Sequence, residues 1–159
     1  APEKVPTKVQ QVIVIFMMML FFYLVVLITQ AVAGPTPIPP FPFPLGRYIG
    51  GQLRPAYLRV ETNFVTVRKV PRVHLRISCG CNGDSWDGWF DLGRGNLANL
   101  FTLKDYQTNR KYAELFIFYN AHCGRARGRR GDLAVFSKDP NSNKYATRLG
   151  KDTIFLHSA

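Results

Sequence analysis

Residues 72–78 read Arg-Val-His-Leu-Arg-Ile-Ser. Val73, Leu75 and Ile77 alternate with Arg72, His74, Arg76 and Ser78, a period of two that predicts a half-buried strand with a basic outer face. Working outward, further short strands are predicted over residues 56–61 and 64–70, divided at Thr62-Asn63, and over 114–119, 133–137, 145–149 and 153–157. Asn82-Gly83 and Asp87-Gly88 supply turn signals. Residues 96–106 predict one short helix, because Leu97, Leu100, Phe101 and Lys104 fall at helical spacing behind Asn96 as a cap. The expected head, residues 48–159, is therefore a mostly antiparallel β domain, a small sandwich or barrel, with one short helix.

The other end of the chain is of a different kind. Residues 12–28 are seventeen consecutive apolar side chains, and continuing to Ala33 gives enough helix to cross a hydrocarbon core of about 30 Å. No polar stripe marks a face for a soluble partner. A secretory signal is the rival reading, since Lys4 and Lys8 precede the run and Ala31-Val32-Ala33 resembles a cleavage site. The run exceeds the usual length of a signal core, and a retained single-pass anchor over 12–33 is expected, behind a polar tail over 1–11. Lys4 and Lys8 on one side against Arg47 on the other place the N-terminus on the positive-inside face.

Between anchor and head, residues 34–47 carry six prolines interleaved with Ile38, Phe41, Phe43 and Leu45. That density excludes helix and predicts an extended polyproline segment. A spacer would be polar. The apolar side chains instead predict a strap lying on a partner surface through Phe41 and Phe43.

Of 159 residues, 47% are hydrophobic and 19% charged, which excludes a disordered chain. The net charge is +11, almost all of it in the head. Such a surface faces polyanionic neighbours.

Cys79, Cys81 and Cys123, with His122, are the candidates for metal or disulfide chemistry. Their spacing does not suit zinc. The layout of anchor, linker and β head is similar to that of Rieske iron–sulfur proteins, but their cluster needs two Cys and two His, and the second histidine is missing. A disulfide from Cys123 to Cys79 or Cys81 is the alternative to free thiols, with Cys81–Cys123 taken as the candidate pair. Residues 84–91, with Asp84, Asp87, Asp91 and two Trp, read as an Asp-rich turn between strands rather than a cation loop. No residues are assigned to catalysis, to a cofactor or to a metal.

The strongest charge feature is Arg125, Arg127, Arg129 and Arg130, between Gly124 and Gly131. Four guanidiniums there suit bidentate contacts to an acidic subunit or an anionic lipid. No aromatic interleaving favours nucleic acid. The expected function is a non-catalytic, single-pass accessory subunit of a large membrane complex. A mitochondrial inner-membrane assembly of the respiratory-chain or ATP-synthase kind suits a basic head without glycosylation sequons. The alternative is a signal-anchored cell-surface or secretory-pathway binding module with an oxidised β-sandwich.

Overall fold

The structure, a computed structural model, describes residues 2, 7–32, 34, 38–52, 57–80, 83–124 and 127–159. The chain divides into two units, residues 1–38 and 39–159.

The first unit is α1, Lys8–Val32, whose 25 residues rise about 37 Å. It starts earlier than residue 12, because Lys8, Gln10 and Gln11 are good helix formers and extend the apolar run by a turn. Large side chains from Val9 to Leu27 are exposed around its whole circumference. Its segment Lys8–Leu27 is long and apolar enough to cross a membrane.

The second unit is a closed eight-stranded antiparallel barrel, in which each strand pairs with its neighbours in sequence and the last pairs with the first. The strands are β1 Gly46–Gln52, β2 Leu58–Val67, β3 Val70–Cys79, β4 Asp84–Arg94, β5 Leu100–Leu103, β6 Val135–Lys138, β7 Lys144–Leu149 and β8 Asp152–Ser158. Helix α2, Arg110–His122, lies in the connection from β5 to β6. Closure removes the free sheet edges at which strands of other chains would add.

The alternation read at residues 72–78 is the middle of β3, with Val73, Leu75, Ile77 and Cys79 turned inward. Opposite them stand Phe64, Thr62, Val60 and Leu58 of β2. The β2 strand runs straight through Thr62-Asn63; the chain reverses at Arg68-Lys69, both at positive φ (49° and 67°), as a two-residue hairpin turn demands. Residues 84–91 form most of β4 rather than a turn. Gly88 points inward there, and the Trp86 ring folds over it at 2.7 Å from where a Cβ would sit.

Two further expectations are corrected. Residues 96–106 are not a helix: Phe101 and Leu103 alternate into the barrel on β5. Residues 114–119 are not a strand but the middle of α2. Asn109 caps that helix, accepting from the Lys111 and Tyr112 N–H groups. Tyr112, Leu115 and Tyr119 form its buried face, while Ile117, which a strand would bury with Leu115 and Tyr119, is 69% exposed. In β1, a side chain at Gly50 would collide with the Phe155 carbonyl of β8, and one at Gly51 with the Leu58 carbonyl of β2. The glycine pair lets the closing strand sit between its neighbours.

Inside, Tyr48, Phe64, Phe101, Phe136 and Tyr145 pack ring against ring at centroid distances of 4.9–6.3 Å. Phe90 meets Tyr112 of α2 edge-on at 6.4 Å. The interior is a packed aromatic core, not a cup.

Of the strap expected over 34–47, residues 35–37 lie outside the described residues, and residues 39–45 belong with the barrel unit. The Phe41 N–H donates to the Ala98 carbonyl at 3.2 Å, and Arg94 Nη1 donates to the Phe41 carbonyl at 2.6 Å. Phe43 lies 5.7 Å from the Phe101 ring, with the Arg94 guanidinium over its other side at 4.5 Å. Phe41 and Phe43, expected to meet a partner surface, are partly buried against the barrel's own core.

Candidate anion-binding surface

The Arg-rich segment is a pinned loop at the foot of α2. Arg125 lies outside the described residues; Arg127, Arg129 and Arg130 are exposed. The pin is Asp132, a fully buried carboxylate that no sequence pattern singled out. It accepts from the Arg129 N–H at 2.6 Å, the Gly150 N–H at 2.8 Å and Arg148 Nε at 3.1 Å. Two backbone donors and a guanidinium on one carboxylate explain how a charge is tolerated there.

Tyr112 makes the second tie. Its hydroxyl donates to the Asp132 carbonyl at 2.6 Å and accepts from the Gly131 N–H at 3.0 Å. Burial raises its pKa well above the ordinary tyrosine value, and the nearby Asp132 charge adds to that against the Gly131 hydrogen bond. The hydroxyl keeps its proton and its place. Arg130 Nη2 donates to the Gln107 carbonyl at 2.7 Å, and the Gly128 N–H donates to Asn120 Oδ1 at 3.3 Å.

These bonds bring three separate segments together: the turn and first turn of α2 (105–114), the loop (127–132) and Arg148 on β7. Arg130 and Arg148 share the rim of a shallow groove with Tyr106, Val135 and Ala146. The three segments hold Arg110, Lys111, Arg127, Arg129, Arg130 and Arg148 against Asp105, Glu114 and Asp132. Of the acids, Asp132 is consumed by the pin and Glu114 pairs with Arg110 at 3.2 Å. Arg127, Arg129 and Lys111 make no ion pair among the described residues. The first turn of α2 carries no acid, so its cations sit at the positive end of the helix dipole.

The basic outer face expected of β3 is a contrast. There Arg72 pairs with Asp91 at 2.9 Å, His74 with Asp87 at 2.8 Å, and Glu61 takes both Arg47 and Arg59 at 2.7 Å. Burial by itself would raise the Glu61 pKa, but the Arg47 hydrogen bond and the Arg59, Arg47 and Arg76 charges outweigh it and hold the carboxyl below 4.5. Trp89 is flanked by His74 at 4.8 Å and Arg72 at 5.6 Å. β4 supplies the carboxylates for that face: Asp91 stands opposite Arg72, and Asp87, opposite Arg76, reaches diagonally to His74.

The cysteines resolve differently from the Cys81–Cys123 candidate. Cys79 and Cys123 form a disulfide with Cα atoms 5.1 Å apart. Cys79 is inward at the end of β3 and Cys123 is the C-cap of α2, so the bond locks the helix to the barrel. Cys81 lies outside the described residues. With two thiols bonded to each other, the set Cys79, Cys81, His122 and Cys123 cannot serve as four metal ligands. Among the described residues no three His, Cys, Asp or Glu side chains cluster as a metal site. His122 instead stacks on Phe118 at 4.9 Å, with Asp84 Oδ2 3.2 Å from its Nδ1.

Comparisons with protein families, curated proteins and solved structures find no match to this chain.

Proposed function

We propose that this chain is a non-catalytic, single-pass membrane protein whose barrel head is a binding module on the oxidising side of its membrane. The observation that carries the reading is the Cys79–Cys123 disulfide between the barrel and α2. Structural disulfides persist outside reducing compartments, and of the two functions read from the sequence only the cell-surface or secretory one required an oxidised head. The packed aromatic interior leaves recognition to the outer surface, where Arg127, Arg129 and Lys111 by α2 make no ion pair among the described residues. The Arg127–Arg130 segment also resembles a dibasic processing site, which would count against a secretory address if it were extended. Its bonds to Asp132, Asn120 and Gln107 tie it to the barrel and α2, against the free entry into a protease cleft that processing needs.

A second reading keeps the barrel as an accessory subunit of an energy-transducing membrane, with neighbouring helices rather than lipid against Phe16, Phe21 and Phe22. It is favoured by the exposure of the large side chains from Val9 to Leu27. The test is to alkylate free thiols at lysis, extract the membranes and map the cysteine-containing peptides. A linked 79–123 peptide is expected; alkylation of both cysteines overturns the proposal. Co-migration with a stoichiometric membrane assembly on native gels would replace the first reading with the second.

A further inference from the structure

We infer that the foot of α2 binds a linear sulfated polysaccharide, an inference that rests on the proposed oxidising address of the head. The three segments carry six cations against Asp105, Glu114 and Asp132, and of the six only Arg110 and Arg148 pair with a carboxylate among the described residues. Two lie at the helix end whose dipole repels them. Self-repulsion of this kind lowers stability and is offset only by solvent ions or a bound polyanion. The same fold shows the alternative on the outer face of β1–β3, where Arg47, Arg59, Arg72 and His74 each meet a carboxylate.

The site is also rigid. Asp132 and Tyr112 fix the backbone beneath Arg129 and Arg130, so little conformational freedom is lost when a ligand arrives. Five of the six cations are Arg, whose planar fork matches the oxygens of a sulfate in pairs. Their spread over a loop, a helix start and a strand suits a chain of anionic groups better than one small anion.

Two other polyanions fit less well. Single-stranded nucleic acid needs exposed rings for base stacking, and the Tyr106 ring is turned onto Tyr112 at 5.3 Å. Anionic lipids are concentrated in the cytoplasmic leaflet, across the membrane from an oxidised head.

The test uses the full chain in mild detergent on immobilised heparin across a salt series, with desulfated heparin, single-stranded RNA and phosphatidylserine vesicles as competitors. Wild type should bind heparin in a salt-dependent way and ignore the desulfated polymer. Arg127→Gln with Arg129→Gln, whose guanidiniums make no described bond, should weaken binding roughly tenfold. The same pair changed to Lys should recover part of it, and Arg47→Gln with Arg59→Gln, an equal charge loss on the paired face, should change it less than about twofold. Equal loss from both Gln pairs reduces the effect to net charge and overturns the site. Stronger competition by RNA or by the vesicles overturns the ligand class. Thiol mapping on the same preparation separates the two levels: an intact disulfide without heparin binding refutes this inference alone, whereas free Cys79 and Cys123 refute the address beneath it.

Discussion

Replacing Asp132 by Ala should unlatch the Arg loop and destabilise the barrel together. In the folded protein the carboxylate accepts from two backbone N–H groups, Arg129 and Gly150, and from Arg148 Nε. Alanine leaves both backbone donors without an acceptor at a fully buried position. Each orphaned donor costs about 1–3 kcal/mol. Arg148, 60% exposed along its side chain, turns to water and adds little. The sum is about 2–6 kcal/mol, a large part of the roughly 5–15 kcal/mol that holds a domain of this size. For about 120 residues, at about 4 °C per kcal/mol, the melting temperature should fall by roughly 8–24 °C. Asp132→Asn can keep its one amide oxygen under both backbone N–H groups, which share Oδ2, but turns its NH2 toward Arg148 Nε, so it should lie between. The measurement is a thermal melt of the full chain in detergent, paired with limited trypsinolysis near Arg129 and Arg130. Cleavage there should appear in Asp132→Ala well below its melting point. A fall of less than about 4 °C, with the loop still resistant, would refute the latch.

Other outcomes follow from the same contacts. Reducing Cys79–Cys123 frees a loop with a sequence separation of 44, worth about 4 kcal/mol on the chain-entropy account, so reductant should lower the melting temperature by roughly 15 °C. Phe41→Ser with Phe43→Ser should detach residues 39–45, seen as new proteolysis there and a loss of about 2–5 kcal/mol; an unchanged melt would mean that the strap contributes nothing to the barrel. Glu61 titrates below 4.5 when folded, so the stability it adds is present above that value and is lost as the pH falls through its folded pKa. Arg47→Gln with Arg59→Gln should move its NMR-detected titration upward and flatten that acid dependence.

What could be read from the sequence was what local pattern controls. The strand at 72–78 and those near 145–149 and 153–157 alternate cleanly because one face of each meets the core. Residues 114–119 misled because Leu115 and Tyr119 satisfy both a period of two and a helical period, and only the Asn109 cap separates them. The β2–β3 turn carries Arg68-Lys69 instead of Asn-Gly, so the hairpin left no turn signal, and Gly50-Gly51 hid β1 behind residues poor in strand propensity. In the candidate site the Arg run was plain, but Asp132 and Arg148 were not. Their roles arise from the pairing of β6 with β7, which brings residues sixteen and eighteen positions apart onto one carboxylate. The contacts of Phe41 and Phe43 with β5 likewise join residues far apart in sequence.

The most direct test of the account is the side of the membrane on which the barrel lies. Arg68→Asn with Val70→Thr writes Asn-Lys-Thr into the exposed β2–β3 turn, and Asn accepts the positive φ of position 68 more readily than Arg. Expressed in a secretory system, this variant should gain an endoglycosidase-sensitive glycan while remaining in the carbonate-resistant membrane fraction. A membrane-inserted, protease-resistant barrel that acquires no glycan would contradict the proposal.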